Sequence, residues 1–497
     1  MNVTVIGVGY VGAVTGACLA FLGHRVTCVD VDESKIGKLR QGQSPIYEPG
    51  LVELIALAQE TGAISFDTDV AAAVQNSEVI FIAVGTPSLP SGETNLAYLE
   101  SAARTVGAAM EPGRFYVVVN KSTVPVGCGN LVEALVRDGL MQTRPADAAQ
   151  FDFAVASNPE FLREGSAIHD SLYPGRIVLG SASSRAISTL TELYSPLTEQ
   201  RFAPPSFAPR PAAMTEVPVI STSLASAEMI KYSANAFLAL KIGFANEMAN
   251  ICERVGADVI QVMSGIGLDS RIGSSFLNAG IGWGGSCFGK DVSSLLHTAS
   301  EYGYEARILA ASLAVNKLQR SVVIQKLQEK LFILKGRTIA LLGLAFKPYT
   351  DDLRDAPSIQ IAEKLLHMGA RVRAFDPIAM DACRAQHPHL QICYCEDALK
   401  TVAGADAVVL VTEWPEFASL NLAELAMKMK HPVLIDGRNL FDPECAVEAG
   451  FEYTGVGRPS GQARAKDDEP VPAPVADRRS PARNVLGSQL AAKAGVA

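Results

Sequence analysis

The sequence predicts an α/β protein in which two doubly wound halves are joined by a long central helix. Three observations carry this expectation. Short apolar strands alternate with helical stretches from the N-terminus onward. The same alternation restarts at Gly336. Between the two lies "ASAEMIKYSANAFLALKIGFANEMANICERVG", Ala225 to Gly256, which is helical in composition, free of proline and closed by a glycine. Such a helix is longer than usual for a globular domain and suits a spine or a subunit seam.

In chain order, Val3 to Ile6 reads as a short apolar strand, followed by a glycine turn and a small-residue helix to about Leu22, with Gly23 as its stop. Val26 to Val29 is the next strand and ends at Asp30. "SEVIFIAVGTP" and "RFYVVVNKSTVP" are further strands, so a parallel, doubly wound sheet is expected over residues 1–198. Residues 199–220 are rich in Pro and Ala and lack a period; 199–224 is expected to be a loop or linker. A central helical unit, a spine or a subunit seam, is expected over 225–318. From 319 to 458, "RTIALLGLAFKP", "SIQIAEKLLHMGARVRAFDP", "ADAVVLVTEW" and "HPVLIDGRN" repeat the first plan, although GLAFKP is not GxGxxG. The repeat reads as a weak internal duplication of a Rossmann-like unit. The tail, 459–497, is rich in Ala, Pro and charge and is expected to be disordered.

Composition excludes several classes. The chain of 497 residues is 48% hydrophobic and 19% charged, as in globular proteins. Its net charge of −9 gives a nucleic-acid partner no electrostatic support. No apolar run reaches the ~18 residues of a membrane span. The opening "MNVTVIGVGYVG" lacks the basic and apolar regions of a secretory signal. Nine scattered cysteines, with no CxxC pair, suggest reduced thiols in a cytoplasmic protein. With only seven scattered His, no metal site is expected.

The first strand, turn and helix contain Gly7, Gly9 and Gly12 as GxGxxG, with Asp30 closing the second strand. Gly7 permits a tight turn, Gly9 lets a pyrophosphate approach the backbone, and Gly12 lets the helix pack on the sheet. The helix N-terminus then faces phosphates. A carboxylate at Asp30 accepts from ribose hydroxyls and repels a 2′-phosphate, which favours NAD over NADP.

Thr86 and Thr123 follow apolar strands, where such sheets bind ligands, although Thr beside Pro or Val is also common turn chemistry. Glu160 and Glu164, spaced as on one helix face, are either solvated or serve acid/base work, with Phe161 and Leu162 lending an apolar setting. Lys231 and Asn235 share one face of the long helix among small and apolar neighbours, which suggests a partly buried lysine needing an anionic partner.

"GIGWGGSCFGKD" sets Cys287 among glycines. It is a packed residue, a metal ligand or a nucleophile. Gly284 and Gly285 would free the backbone for close approach to a ligand, and Lys290 would favour the thiolate. A thiolate attacks an aldehyde, and the resulting thiohemiacetal gives up a second hydride to leave a thioester for water. That explains a thiol beside a dinucleotide loop.

Together, "GVGYVG", "SPIYEPGL", "AVGTP", "KSTVPVG", "NPEFLREG", "EMIKYSANAFLALKIGFANE", "GIGWGGSCFGKD", "FKPYTDDLRDAPS" and "DGRN" resemble, in their order, the UDP-glucose/GDP-mannose dehydrogenase family of nucleotide-sugar 6-dehydrogenases. The resemblance runs from Met1 to about Gly457. It implies two Rossmann-like domains joined by a dimerising helix, and a homodimer or higher homo-oligomer. It also implies a two-step, NAD-dependent oxidation of a nucleotide sugar, with UDP-glucose favoured over GDP-mannose. Ser286 stands where the branch acting on N-acetyl sugars has His.

By the same resemblance, Cys287 is the nucleophile and Glu160 the acid/base of thioester hydrolysis. Lys231 and Asn235 steady the oxyanion and sugar hydroxyls, while Asp291 and Thr123 assist the water. Cofactor contacts are implied for Gly7, Gly9, Tyr10, Val11, Gly12, Asp30, Lys35, Thr86, Thr123, Glu164 and Arg354. Substrate contacts are implied for Phe161, Leu162, Arg163 and Glu164, for Phe276, Leu277, Asn278 and Gly284, and for Lys231, Asn235, Lys347 and Arg438; Arg271 would reach a partner subunit's substrate. Gly289 departs from the family pattern, which has Pro or Gln there.

Overall fold

The computed structural model describes residues 1–89, 91–144 and 150–459. The expected disordered tail lies, from residue 460, outside the described residues.

Eight strands form the first sheet: β1 (Asn2–Ile6), β2 (Arg25–Val29), β3 (Ile64–Asp67), β4 (Val79–Ile82), β5 (Phe115–Asn120), β6 (Asp152–Ser157), β7 (Ile177–Gly180) and β8 (Val219–Thr222). Their order is β3-β2-β1-β4-β5-β6-β7-β8. The second sheet holds β9 (Thr338–Leu342), β10 (Arg371–Phe375), β11 (Ile392–Tyr394), β12 (Ala407–Leu410), β13 (Val433–Asp436) and β14 (Glu452–Thr454), in the order β11-β10-β9-β12-β13-β14. The first six strands of each sheet therefore follow one plan, the dinucleotide-binding order. The duplication expected from sequence is present in topology.

Central strands β4, β9, β12 and β13 are buried along their whole length because helices cover both faces. Every pairing is parallel except β6 with β7, which meet antiparallel at Ser157 and Gly180. The connection explains it. Its one helix, Ala167–Leu172, rises only ~9 Å, too little to return the chain to the far end of the sheet.

The stretch expected as a linker is not a free tether. Phe202 stacks on Tyr173 and meets Phe21 edge-on, Arg210 donates to the carbonyls of Gln200 and Phe202, and the chain leaves through edge strand β8. Residues 219–222, read as loop or linker, are thus strand.

The central helix runs Leu224–Val255, about 48 Å at the usual rise. The Ser223 side chain caps its start by accepting from Ser226, and Gly256 ends it with φ 76°. Its first turn lies on a core of the first half through Leu224. Its last turns, with Ala245, Ala249 and Cys252, belong to the core of the second half. Ala236 and Ala239 pack on Trp283 and Val292 between them.

Candidate active site

At the first βα turn, Gly7 adopts φ 94° and Gly12 lies against it, so that a Cβ on Gly12 would fall 1.8 Å from the Gly7 carbonyl oxygen. The space beside Gly9 is open, at the N-terminus of helix Tyr10–Phe21. Asp30 accepts from Val8 N at 2.9 Å and Asp32 N at 3.0 Å, which holds the acid beside the turn. The Thr86 hydroxyl donates to the Thr123 carbonyl at 2.8 Å, tying together the loops after β4 and β5. An open approach to a helix N-terminus, flanked by a carboxylate and these loops, fits NAD. Val11 is half-buried in the same helix, and Lys35 is turned to Asp32 at 3.8 Å. In the second half the acid after β10, Asp376, is fully buried and accepts from Leu344, Ala345, Ile378, Ala379 and the Trp414 indole. The second copy has turned its acid into a structural clamp.

Beside the first turn, a buried ion cluster collects side chains from distant stretches. Lys231 Nζ lies 2.9 Å from Glu160 Oε1, both almost fully buried. The other Glu160 oxygen accepts from Leu162 N at 3.0 Å. One helical turn beyond Lys231, Asn235 donates to Asp291 Oδ2 at 2.6 Å, and Lys290 donates to Asp291 Oδ1 at 2.5 Å. Cys287 occupies the N-cap position of helix Phe288–Glu301, with no capping hydrogen bond from its side chain, and that helix carries Asp291 one turn on.

Cys287 opens to the cleft yet sits deep among protein groups. Desolvation pushes its thiol above the usual value, the Glu160 and Asp291 carboxylates add to this, and Lys231 opposes it. Burial alone would pull Lys231 down, but Glu160, Cys287 and Asp291 more than offset it and hold the lysine cationic.

Four local expectations are corrected. Glu160 and Glu164 lie on a loop, not a helix, and both turn inward. Glu160 meets a cation and an amide rather than an apolar wall. Lys231 and Arg354 are cations that act on the thiol, whereas Lys290 is paired with Asp291. The glycines before Cys287 are filled by protein: a Cβ on Gly284 would lie 2.5 Å from the Asp355 carbonyl oxygen, and one on Gly285 (φ 88°) 2.8 Å from the Phe346 ring. Their smallness lets the second half close on this loop.

Glu164 accepts from Arg354 at 3.1 Å and from Ser286 at 3.4 Å, and the Ser286 hydroxyl lies 3.5 Å from the Cys287 sulfur. Arg438 reaches from the end of β13 to the carbonyls of Val411, Gly282 and Phe346. Phe276 packs edge-on to Phe288, beside the cysteine. The Lys347 ammonium lies over the Phe346 ring.

Others are not brought in. The Arg163 guanidinium forks onto Asp170. Arg271 is 86% exposed and paired with Asp269. Leu277 is buried in the second core, and Asn278 is exposed. Sequence reading assigned no role to Glu48, Lys121 and Glu228, whose side chains hold the surrounding loops, although each lies in a quoted motif: "SPIYEPGL", "KSTVPVG" and "EMIKYSANAFLALKIGFANE".

Three family models match the chain: the UDP-glucose/GDP-mannose dehydrogenase family NAD binding domain at residues 1–198, its central domain at 225–318 and its UDP binding domain at 340–443. The chain belongs to the UDP-glucose/GDP-mannose dehydrogenase family. NAD is the cofactor of this dehydrogenase, as the glycine turn and Asp30 predict. The UDP-glucose 6-dehydrogenase TuaD of Bacillus subtilis is 45% identical, over 95% of this chain and 96% of its own. A UDP-glucose 6-dehydrogenase of Pseudomonas aeruginosa is 43% identical, over 94% and 99%. A solved UDP-glucose dehydrogenase from Pyrobaculum islandicum superposes with a TM-score of 0.80 at 39% identity, covering 92% of this chain and 97% of that one. No described helix is long and apolar enough to cross a membrane.

Proposed function

We propose that this dehydrogenase oxidises C6 of UDP-glucose twice, yielding UDP-glucuronate, through a covalent adduct on Cys287. The observation that carries the reading is the thiol beside a buried Lys231–Glu160 pair and the Asn235–Asp291 bond. A one-step alcohol dehydrogenase has no use for that thiol. The curated relatives named above act on UDP-glucose, which selects the sugar.

NAD, when bound, supplies the hydride acceptor for both oxidations. Residues 1–198 hold it, with Gly9 and the N-terminus of helix Tyr10–Phe21 at the pyrophosphate and Asp30 at the ribose. Residues 319–458 hold the UDP moiety, with Lys347 and Arg438 at its entrance. Once the aldehyde exists, the Cys287 sulfur forms a bond to C6, and Lys231 stabilises first the thiolate and then the oxyanion. Loss of the second hydride leaves a thioester. Glu160 takes a proton from the attacking water, Asp291 orients that water, and C–S cleavage returns the thiol.

We assign the assembly to a homodimer built on the central helix. Phe237, Phe244 and Ile251 recur every two turns and are 64%, 47% and 46% exposed, an apolar stripe of the kind that pairs helices. The nine free cysteines suit a reducing cytoplasm.

The test is to count NADH formed per sugar with NAD and either UDP-glucose or GDP-mannose. Two per UDP-glucose is expected. One would indicate a simple alcohol dehydrogenase, and none a non-catalytic nucleotide-sugar sensor. Cys287→Ser abolishes net turnover, and Cys287→Ala makes at most aldehyde; acid at the wild-type rate from Cys287→Ala would overturn the covalent route.

A further inference from the structure

Glu48 precedes Pro49 and Gly50 in the loop before helix Leu51–Glu60, and it is 6% exposed. Buried carboxylates are costly unless their oxygens are met. Oxygen Oε1 accepts from Ala167 N at 2.6 Å. Oxygen Oε2 accepts from Gly165 N at 2.6 Å and from the Tyr10 hydroxyl. The Gly165 amide is shared with the Tyr10 oxygen, 2.8 Å away. No cation forms an ion pair with Glu48 among the described residues; burial pushes its carboxyl up to about 7, opposed by the amides of Gly165, Ala167 and Ile168 and, least, by the charge of Lys347.

These contacts join two parts of the site. Tyr10 follows Gly9 and opens the helix whose N-terminus faces the dinucleotide. Gly165 and Ala167 end the loop that carries Glu160, Phe161 and Glu164. That loop is gripped on its other side as well: a Cβ on Gly165 (φ 79°) would lie 2.5 Å from the Tyr349 carbonyl oxygen. A displacement of Tyr10 therefore has a hydrogen-bonded path to the loop, and the path passes through one carboxylate.

We propose that Glu48 is a positioning residue that couples cofactor binding to the substrate loop, by tying the Tyr10 hydroxyl to the backbone amides of Gly165 and Ala167. The inference rests on the proposed dinucleotide and nucleotide-sugar sites. Cofactor at the glycine turn fixes Tyr10, Tyr10 fixes Glu48, and Glu48 sets the amides behind Glu160 and Glu164. Glutamine in place of Glu48 keeps the volume but presents N–H donors to an amide donor, so one strut is lost. Phenylalanine in place of Tyr10 removes only the hydroxyl.

The experiment measures the dissociation constant of UDP-glucose calorimetrically, without and with saturating NADH, in wild type, Glu48→Gln and Tyr10→Phe. Saturation by NADH is verified for each by fluorescence titration, and folding by a melting curve. NADH is expected to tighten UDP-glucose binding at least ~5-fold in the wild type, the lower end of ordinary coupling. In both variants that factor is expected to fall below ~2-fold. Tyr10→Phe decides alone if Glu48→Gln does not fold. Wild-type coupling retained in the folded variants, or no coupling in the wild type, overturns the proposal. A wild type that binds UDP-glucose and reduces NAD keeps the functional reading intact even then; one that does neither overturns both.

Discussion

A thiol next to two carboxylates is an uneasy arrangement, and at Cys287 a buried lysine opposes them. Desolvation, Glu160 and Asp291 all keep the proton on sulfur; Lys231 favours its departure. The thiol pKa therefore lies above the ordinary ~8.5 of cysteine. Alkylation of Cys287 by iodoacetamide in the free enzyme should accelerate with rising pH beyond that value, and Lys231→Met should slow it further at any given pH. A rate already flat at pH 7 would contradict the electrostatic account. The cysteine was legible as a candidate nucleophile through the nine segments together, since its glycine-rich setting alone left a packed residue open. Its buried cation was not legible, because Lys290 is its neighbour in sequence while Lys231 is its neighbour in space. Similarly, the spacing of Glu160 and Glu164 imitates a helix, but the chain there is a loop whose two carboxylates are drawn inward by Lys231 and Arg354.

The central helix does more than connect. Three residues before Lys231 it presents Glu228, buried, which accepts from Gly127 N and Gly129 N at 2.7 Å each. Those amides open helix Cys128–Thr143, directly after the loop that carries Thr123. One helix thus places the lysine and holds the cofactor-side loop. Glu228→Leu leaves two amides without acceptors, at a cost of ~1–3 kcal/mol each. We expect a melting point lower by several degrees and a raised KM for NAD, while Glu228→Gln, which still accepts at one amide, should fall between the two. At this scale the sequence was informative wherever an element was long or punctuated: Gly23 and Gly256 stop their helices where expected. Strands β11 and β14, three residues each, carry too few side chains to show a period. The 199–220 stretch hid its role because its anchoring comes from single residues, Phe202 and Arg210, in an aperiodic background.

Across the whole molecule, two sheets of one strand order have diverged in use. The first keeps an open turn beside Asp30; the second buries Asp376 under five donors. Asp376→Asn should therefore destabilise the protein without altering the choice between NAD and NADP, whereas Asp30→Ala should relax that choice, as measured by kcat/KM for each cofactor. The apolar stripe of the central helix gives a separate expectation: Phe237→Glu should convert the proposed dimer to monomer in light scattering, while a dimer of unchanged mass would place the seam elsewhere. Finally, Gly284 and Gly285 are occupied from outside by Asp355 and Phe346, and Gly285 N donates to the Arg354 carbonyl at 2.9 Å. The thiol thus stands on ground that the C-terminal half shores up. If protease severed the chain after the central helices, the N-terminal fragment would retain its dinucleotide turn and Cys287 itself, yet lose the wall that aims the sulfur. Such a fragment would bind cofactor and oxidise nothing, so the reaction is indivisible even though the fold is built in two.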